Sequence, residues 1–367
     1  MTNVHETVLE IDLQALTQNY EFMRNQISSE TKLMAVVKAF GYGSDAPEVA
    51  KHLEGLGVDY FAVAYSYEGI ALRDAGVKTP IMVLHPLPMH FEEIIDRCLE
   101  PSLYNCKTLD AFIEAAEKKG QGQYPIHVKF NTGLNRLGFW ENDVHLIAEK
   151  LEKTSTVKVV SLLSHLAASE DPKEMEFSSR QIDTFKKIAK EFHQKMGYKP
   201  MLHMCNTSGI LNFPEAHFDM VRSGIGLYGF GNDPRFRGQL KPIASLKTVI
   251  SQLHKVEPGE SVGYNRGYTA DDRETIATLP IGHADGISRI YGNGKGSVFI
   301  HGQKAAIVGN VCMDMIMIDV TGIDCKEGDE VLVFGQENSA ETFASSAQTI
   351  SYEILTAISQ RVKRVVK

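Results

Sequence analysis

The sequence lacks the features that mark several specialised classes of protein. It has only five cysteines in 367 residues, widely spaced and with no CxxC pair, which argues against a structural zinc site and a disulfide framework. No apolar run reaches the roughly 18 residues of a membrane-spanning helix, and no lysine- and arginine-rich block marks a nucleic-acid surface. Residues 1–6 have neither the charged segment nor the apolar core of a signal peptide. We therefore expect a cytoplasmic protein with no metal, nucleic-acid or membrane partner.

The first two thirds of the chain alternate short apolar runs with segments of helical period. The strand candidates are residues 33–40, 59–65, 80–84, 101–105, 126–131, 159–166, 201–206 and 220–229. The helical segments among them are residues 46–56, 67–75, 109–119, 144–153 and 177–196. This alternation predicts parallel βα units, and eight of them favour a closed (β/α)8 barrel over an open doubly wound sheet. No GxGxxG follows the first strand, which weakens the dinucleotide-binding alternative.

A second domain is expected because 367 residues exceed one ordinary core. The pattern changes near residues 230–234, after which apolar runs alternate and are split by glycines. We predict a barrel domain over residues 1–235 and a mainly-β domain over residues 236–367. The predicted strands of the second domain are residues 244–256, 274–281, 296–300, 305–311, 313–320 and 330–334, and a terminal helix is predicted over 346–362.

Lys38 is the most informative single residue. It ends the apolar run that begins at Leu33 and precedes a turn with two glycines and Tyr42. Burial at the end of a strand disfavours the ammonium form and lowers a lysine's pKa. A neutral amine can attack a carbonyl, so the position suits a lysine that forms a Schiff base. The alternative is a lysine that ends a buried strand and extends its amine to water.

Other candidate residues lie at the carboxyl ends of the predicted strands, where the active sites of barrel enzymes are found. They are Lys129, Asn131, Arg136, His165, Asn206, Thr207, Ser208, Arg222, Ser223 and Gly224. The segments after the seventh and eighth strands could bind a phosphate through hydroxyls and backbone N–H groups, or could simply cap a helix. Arg222 lies inside a strand-like run and must meet an anion or an acceptor there, and an ion pair with Asp or Glu is the alternative.

The remaining candidates each have a structural alternative. His165 could be a hydrogen-bonded core histidine, and Arg136 could satisfy loop carbonyls. Tyr264 could be one more strand aromatic, since tyrosine is common in strands. The segment containing Met313 could be strand core. None of these residues identifies a function by itself.

Taken together, the segments resemble alanine racemase, a PLP-dependent enzyme of fold-type III, over essentially the whole chain. The matching motifs occur in the family's order: AVVKAFGYG (35–43), KFNTGLNRLG (129–138), VRSGIGLYG (221–229), VGY (262–264), GHADG (282–286), GNVCMD (309–314) and YEILTAISQR (352–361). The resemblance implies a (β/α)8 barrel followed by a β domain. It also implies a homodimer in which each active site joins one barrel to the partner's β domain.

The resemblance further implies roles for individual residues. Lys38 would hold PLP covalently and act as the base on one face of the substrate, with Tyr264 of the partner subunit as the base on the other, poised by His165. Arg222 would face the pyridine nitrogen. The phosphate would be held by Tyr42, Thr207, Gly224, Ile225 and Tyr352, with Asn206 also beside the cofactor. The substrate carboxylate would meet Arg136 and the backbone of the partner's Met313. Lys129, carbamylated in some relatives, would support Arg136.

The sequence departs from the family pattern at a few positions. His283 stands where the family usually has a tyrosine at the substrate entrance, and Thr207 replaces a usual serine but keeps the hydroxyl. Residues 40–41 and 44–45 also differ around Tyr42. None of these changes removes a proposed catalytic group, but His283 leaves substrate breadth open.

Three other functions compete with an alanine racemase that supplies D-alanine for peptidoglycan. A decarboxylase of the same architecture predicts a carboxylate at the ring nitrogen, which Arg222 argues against. A non-catalytic PLP-binding protein would lack the second domain that carries Tyr264 and Met313. A racemase for another amino acid, such as serine, would differ only in pocket size, and one methylene there discriminates by roughly 1–3 kcal/mol.

Overall fold

The computed structural model describes residues 6–231, 234–236, 238–336 and 338–367. Its parallel strands form one eight-stranded sheet with helices between them, and an antiparallel domain follows. The predicted fold class is therefore confirmed. The change of pattern near residues 230–234 and the N-terminal segment 1–6 fall partly outside the described residues.

All eight predicted parallel strands are present, though most are shorter than their apolar runs. Strand β1 (Thr7–Ile11) and helix α1 (Leu13–Asn25) precede them. The barrel strands are β2 (Lys32–Val36), β3 (Tyr60–Val63), β4 (Ile81–Val83), β5 (Glu100–Leu103), β6 (Tyr124–Lys129), β7 (Val157–Leu163), β8 (Met201–His203) and β9 (Met220–Ser223). Their order is β8-β7-β6-β5-β4-β3-β2-β9. Backbone hydrogen bonds from Arg222 N to Cys205 O (3.0 Å) and from Asp219 N to Leu202 O (3.1 Å) join the last two strands.

Helices cover the outside of the barrel, which explains why its strands are apolar on both faces. Strands β3 and β4 are buried at every residue, as parallel strands covered by helices require. The short segment α2 (Lys38–Tyr42), directly after β2, is a left-handed turn at residues 39–41 and not a regular helix. The helices are α3 (Ala46–Gly55), α4 (Ser66–Asp74), α5 (Phe91–Asp96), α6 (Cys106–Lys118), α7 (Val144–Glu152), α8 (Met175–Met196) and α9 (Thr207–Asn212). Polar caps begin several of them; for example, Asp45 accepts a hydrogen bond from Glu48 N at the start of α3.

The nine-stranded sheet contains the first and the last strand of the described residues. Its strands are β1, β10 (Ala244–Val249), β11 (Gln252–Val256), β14 (Glu274–Leu279), β15 (Ser297–Ile300), β16 (Gln303–Val308), β17 (Ile316–Asp319), β18 (Glu330–Phe334) and β19 (Lys363–Val366), and the short strands β12 (Ser261–Val262) and β13 (Tyr268–Thr269) form a separate hairpin. Strand β1 pairs antiparallel with β10 and parallel with β19. The sequence analysis did not foresee this N-terminal strand.

Three predictions for the second domain need correction. The run 244–256 is two strands in different parts of the sheet, and the strand predicted over 313–320 begins only at Ile316. The terminal helix predicted over 346–362 is α11 (Ser351–Ala357), which follows α10 (Ala340–Ser345). Its apolar pattern continues into Ile358 and Val362, which are buried in the core without being helical.

One apolar core extends from the barrel into the β domain. It includes Leu33 and Phe61 of the barrel and Leu246 and Val333 of the sheet, all with no exposed surface. A smaller cluster lies under the β12–β13 hairpin. Among the residues described, no helix combines the length and apolar character needed to cross a bilayer.

Candidate active site

A cavity of about 540 Å³ lies at the carboxyl ends of the barrel strands. Eleven of the thirteen residues predicted for the site line it: Lys38, Tyr42, Lys129, Arg136, His165, Asn206, Thr207, Arg222, Gly224, Ile225 and Tyr352. Its volume lies within the range of small-molecule sites, roughly 300–1,000 Å³. The structure thus brings together residues from six separate segments of the sequence.

Lys38 enters the cavity from a left-handed turn. Strand β2 ends at Val36, and the residues after Lys38 have positive φ: 53° at Ala39, 55° at Phe40, 62° at Gly41 and 52° at Tyr42. L-residues disfavour this conformation by roughly 1–2 kcal/mol each. The predicted strand over 33–40 is therefore too long, because its last residues turn back to place the lysine.

Contacts from three other elements hold this turn in place. Glu68 of α4 accepts a hydrogen bond from Ala39 N at 2.6 Å. The Arg364 guanidinium donates to Gly43 O at 2.8 Å and lies 5.6 Å from the centre of the Phe40 ring. Gly43 has a φ of 80°. It also lies very close to helix α11, since a Cβ added to Gly43 would lie 2.0 Å from Leu355 O. These contacts offset the unfavourable backbone conformation.

The cavity is strongly cationic. Lys38, Lys129, Arg136 and Arg222 line it, and none of the described lining residues is acidic. Burial lowers the pKa of Lys38, and the charge of Arg136 lowers it further, while Glu68 opposes the change. Burial and the neighbouring cations lower the pKa of Lys129 to about 8. The site therefore suits an anionic ligand, and both lysines lose their proton more readily than an exposed lysine does.

Arg222 is buried without an acidic partner among the described residues. One terminal nitrogen (Nη1) lies 2.8 Å from His203 Nδ1, and the other (Nη2) donates to Ser164 O at 2.8 Å and lies 3.1 Å from His165 Nδ1. The ion pair considered as an alternative is therefore absent. Burial lowers the pKa of Arg222 to about 10, which leaves it protonated at neutral pH.

His165 is a half-buried histidine that forms part of the cavity wall. Burial, followed by the charge of Arg222, lowers the pKa of His165 below its ordinary value. The ring is therefore neutral and Nδ1 is free to accept from the guanidinium. Arg136, by contrast, is exposed in the loop after β6 and donates to no carbonyl among the described residues, so the loop-stabilising alternative is not supported.

The opposite end of the cavity is rich in hydroxyl and backbone N–H groups. Thr207 Oγ1 accepts from Gly224 N at 3.3 Å and from Gly226 N at 3.2 Å. A Cβ on Gly224 would lie 2.3 Å from the Tyr42 hydroxyl oxygen, so only glycine permits that hydroxyl to reach this position. Asn206 caps helix α9 by accepting from Gly209 N. The helix-capping alternative is therefore correct for Asn206. Thr207 and Gly224 nevertheless line the cavity, where they could contact a phosphate.

Tyr264 and Met313 do not line the cavity of their own chain. Tyr264 is 74% exposed and Met313 is 59% exposed, and both lie in the β domain, where Asn310 Nδ2 donates to Tyr264 O at 3.0 Å. Neither is part of a strand core, so both structural alternatives are wrong. The loop containing Met313 is braced by Arg361, which bonds Asp314 at 2.7 Å and the buried Asp285 at 2.6 Å.

The sequence analysis missed several residues of the cavity wall. Tyr65 and His85 line it, and their rings lie 5.8 Å apart. Tyr65 ends the predicted strand 59–65 and His85 immediately follows the predicted strand 80–84, so both could have been identified from the position of active sites at strand ends. His203, the partner of Arg222, could not be found in this way because it lies inside the predicted strand 201–206, although β8 of the structure ends at His203.

Comparisons with known proteins agree with this geometry. The family model described as alanine racemase, N-terminal domain matches residues 11–232, and that described as alanine racemase, C-terminal domain matches residues 243–366. An alanine racemase from Halothermothrix orenii is 38% identical, over 98% of this chain and 97% of the relative.

Solved structures show the same likeness. The alanine racemase of Clostridium difficile 630 superposes with a TM-score of 0.93 at 35% identity, covering 99% of this chain and 96% of that one. The alanine racemase of Bartonella henselae, with covalently bound pyridoxal phosphate, superposes with a TM-score of 0.90 at 28% identity. The match covers 99% of this chain and 100% of that one. This chain is an amino-acid isomerase that belongs to the alanine racemase family.

Proposed function

We propose that the protein interconverts L-alanine and D-alanine through two bases, Lys38 on one face of the substrate Cα and Tyr264 of the partner subunit on the other. The observation that carries the proposal is a cationic cavity built around a lysine of lowered pKa. The buried Arg222, which has no carboxylate beside it within the described part of the chain, distinguishes this site from that of the decarboxylase alternative.

The cofactor is pyridoxal 5'-phosphate, and the cavity has suitable groups for each part of it. The hydroxyls of Tyr42 and Thr207 and the backbone at Gly224 and Ile225 form a small donor-rich end suited to a phosphate. We assign Tyr352 and Asn206 to the same end because they line it. Lys38 would hold the carbonyl carbon covalently.

Arg222 would donate to the ring nitrogen of the cofactor. Because the guanidinium stays charged at neutral pH, it does not readily surrender a proton to the ring. Arg222 would thereby keep the ring neutral and less electron-withdrawing, which would disfavour side reactions such as transamination. When bound, PLP supplies the electron sink that stabilises the charge left as the Cα proton departs.

The chain's own residues move the proton and orient the substrate. Burial lowers the pKa of Lys38 and so favours the neutral amine, whose Nζ would accept a proton and return it. The hydroxyl of Tyr264 of the partner subunit would do the same on the opposite face, poised by His165. Arg136, supported by Lys129, would bind the substrate carboxylate together with the backbone of the partner's Met313.

A homodimer with shared sites is part of the proposal. Its support is that Tyr264 and Met313 are exposed and do not line the cavity of their own chain, whereas the proposed mechanism needs a second base there. Equal mixing of Lys38→Ala and Tyr264→Phe subunits tests this. If sites are shared, half the dimers are hybrids and each hybrid keeps one intact site, so about a quarter of wild-type activity returns. Return of no activity would refute the sharing.

We also propose a cellular context and domain division from the resemblance. The enzyme would act in the cytoplasm and supply D-alanine for peptidoglycan. The barrel domain would extend to residue 235 and the β domain from residue 236, with the reservation that β1 pairs with strands of the second sheet.

The direct test is D-alanine formation from L-alanine by the purified protein with PLP. We expect rapid formation, which Lys38→Ala abolishes together with covalent cofactor binding. A panel of other amino acids, including serine, would measure substrate breadth. Bound PLP without turnover of alanine would contradict the assignment of substrate and direct attention to that panel.

A further inference from the structure

Five polar side chains form a continuous hydrogen-bonded chain across five neighbouring barrel strands. Glu100 Oε2 lies 2.9 Å from His127 Nε2, and His127 Nδ1 lies 2.6 Å from Ser161 Oγ. Ser161 Oγ lies 2.8 Å from His203 Nε2, and His203 Nδ1 lies 2.8 Å from the Arg222 guanidinium. Strands β5, β6, β7, β8 and β9 each contribute one residue. We call this chain the Glu100–Arg222 relay.

The relay lies in the interior of the barrel. His127, Ser161 and His203 have no exposed surface. His127 is two residues before the cavity-lining Lys129 on β6, so both side chains point to the same face of the strand. Buried polar groups are costly unless their hydrogen bonds are complete, and a barrel interior is usually filled with branched apolar side chains. Three buried polar side chains in mutual contact inside the barrel, those of His127, Ser161 and His203, therefore call for a functional explanation.

The chemistry of the two ends sets the direction of every hydrogen bond. A guanidinium only donates, so His203 Nδ1 must accept from Arg222 and the ring proton sits on Nε2. His203 Nε2–H then donates to Ser161, whose hydroxyl donates to His127 Nδ1. His127 Nε2–H donates to the Glu100 carboxylate. This is the one arrangement in which each donor has an acceptor.

The electrostatics favour the same arrangement. Burial and the charge of Arg222 lower the pKa of His203 well below its ordinary value, so its ring is neutral. The relay then has a cation at one end and the carboxylate of Glu100 at the other. Opposite terminal charges polarise all the intervening hydrogen bonds in one direction, which strengthens each of them.

We propose that Glu100, His127, Ser161 and His203 are positioning residues for racemisation, which fix the tautomer of His203 and thereby orient the Arg222 guanidinium toward the cofactor ring. The relay supplies Arg222 with a remote counter-charge through neutral groups. A carboxylate in direct contact with Arg222 would instead compete with the cofactor for the N–H groups of the guanidinium. The proposal rests on the assignment of Arg222 to the ring nitrogen made above.

Ser161 is the position at which the relay can be cut with least disturbance. Ser161→Ala removes one hydroxyl from the barrel interior and leaves both histidines in place. His203 Nε2–H then loses its acceptor, and a shift of the proton to Nδ1 would set a donor against Arg222. Ser102→Ala is the matched control, because Ser102 is buried, is the register partner of His127 on β5, and has no hydrogen-bond partner for its hydroxyl among the described residues.

The first measurement is the histidine ring ¹⁵N NMR spectrum of the full-length protein without PLP. In the wild type we expect His203 as the Nε2–H tautomer and His127 as the same tautomer, with signals assigned from His203→Asn and His127→Asn. Ser161→Ala should shift both signals, whereas Ser102→Ala should shift neither. Unchanged His203 and His127 signals in Ser161→Ala would overturn the proposal.

The second measurement is PLP affinity and the absorption spectrum of the bound cofactor. Ser161→Ala should weaken PLP binding by roughly tenfold, the effect of about one hydrogen bond to a charged group, and should alter the spectrum. Ser161→Thr retains the hydroxyl and should restore both. Equal losses in Ser161→Ala and Ser102→Ala would overturn the proposal by showing a purely structural effect.

Arg222→Lys separates failure of the relay from failure of the Arg222 assignment. If Arg222→Lys changes the cofactor spectrum and Ser161→Ala does not, the relay does not act through Arg222 and the proposal is overturned. If neither variant changes the spectrum although the tautomer of His203 shifts, the relay is present as described. In that case the assignment of Arg222 to the ring nitrogen is wrong.

Discussion

Lys129 should react with carbon dioxide to form a carbamate at a pH where ordinary lysines barely react. The reaction joins the neutral amine of Nζ to CO₂ and releases one proton. Burial and three neighbouring cations, Arg136, Arg222 and Lys38, lower the pKa of Lys129 to about 8. The same cations favour the product, because the carbamate replaces a repelled positive charge with an attracted negative one.

The size of the effect follows from the pKa. At pH 8 about half of Lys129 is neutral, whereas a lysine with the usual pKa of about 10.4 is roughly 0.4% neutral. The concentration of reactive amine is therefore roughly 100-fold higher than at an exposed lysine. Lowering the pH below 8 protonates Lys129 and should reduce the carbamate accordingly.

The assay is ¹³C NMR of the protein in ¹³C-bicarbonate, together with competitive acylation followed by mass spectrometry. We expect one carbamate signal that Lys129→Met removes, and an acylation midpoint near pH 8 for Lys129. Lys158, which is exposed on the same barrel, serves as the internal control. A midpoint for Lys129 near that of Lys158, with no carbamate signal, would refute the electrostatic reasoning.

Three further substitutions test other parts of the site. Gly224→Ala should weaken PLP binding by roughly tenfold or more in a cofactor titration. The added Cβ would displace the Tyr42 hydroxyl, and the loss of one hydrogen bond to a phosphate has an effect of this size. Unchanged affinity would contradict the phosphate assignment. Gly43→Ala should lower the unfolding free energy by more than about 1 kcal/mol in denaturant titration, and by more than Gly76→Ala, which has positive φ but open space around it. Arg361→Gln should raise the KM for alanine while PLP affinity is retained, because it frees the loop of Met313; an unchanged KM would show that the brace is dispensable.

The elements with strong periodicity could be predicted from the sequence. Eight apolar runs separated by amphipathic segments suffice for a parallel barrel, because burial on both faces leaves few other arrangements. Strand β1 was not predicted because it forms by pairing with β10 and β19, which are more than 230 residues away in the sequence. Pairing of that kind leaves no local signal.

The candidate site was predictable where a residue type had an obvious chemical task at a strand end. Lys38 and Arg222 are such residues. The left-handed turn after Lys38 was not predictable, because Ala39 and Phe40 adopt positive φ only under the constraint of Glu68 and Arg364 from distant elements. The relay was also missed, since a histidine or serine within a strand resembles ordinary core until its neighbours are known.

The central claim is that two bases act on opposite faces of the substrate, and deuterium exchange at Cα tests it most directly. Tyr264→Phe with bound PLP would be incubated in D₂O with pure L-alanine and, separately, with pure D-alanine. We predict that one enantiomer exchanges its α-proton with retention of configuration, through Lys38, while the other does not exchange and racemisation is lost. Racemisation at the wild-type rate, or equal loss of exchange for both enantiomers, would contradict the two-base account.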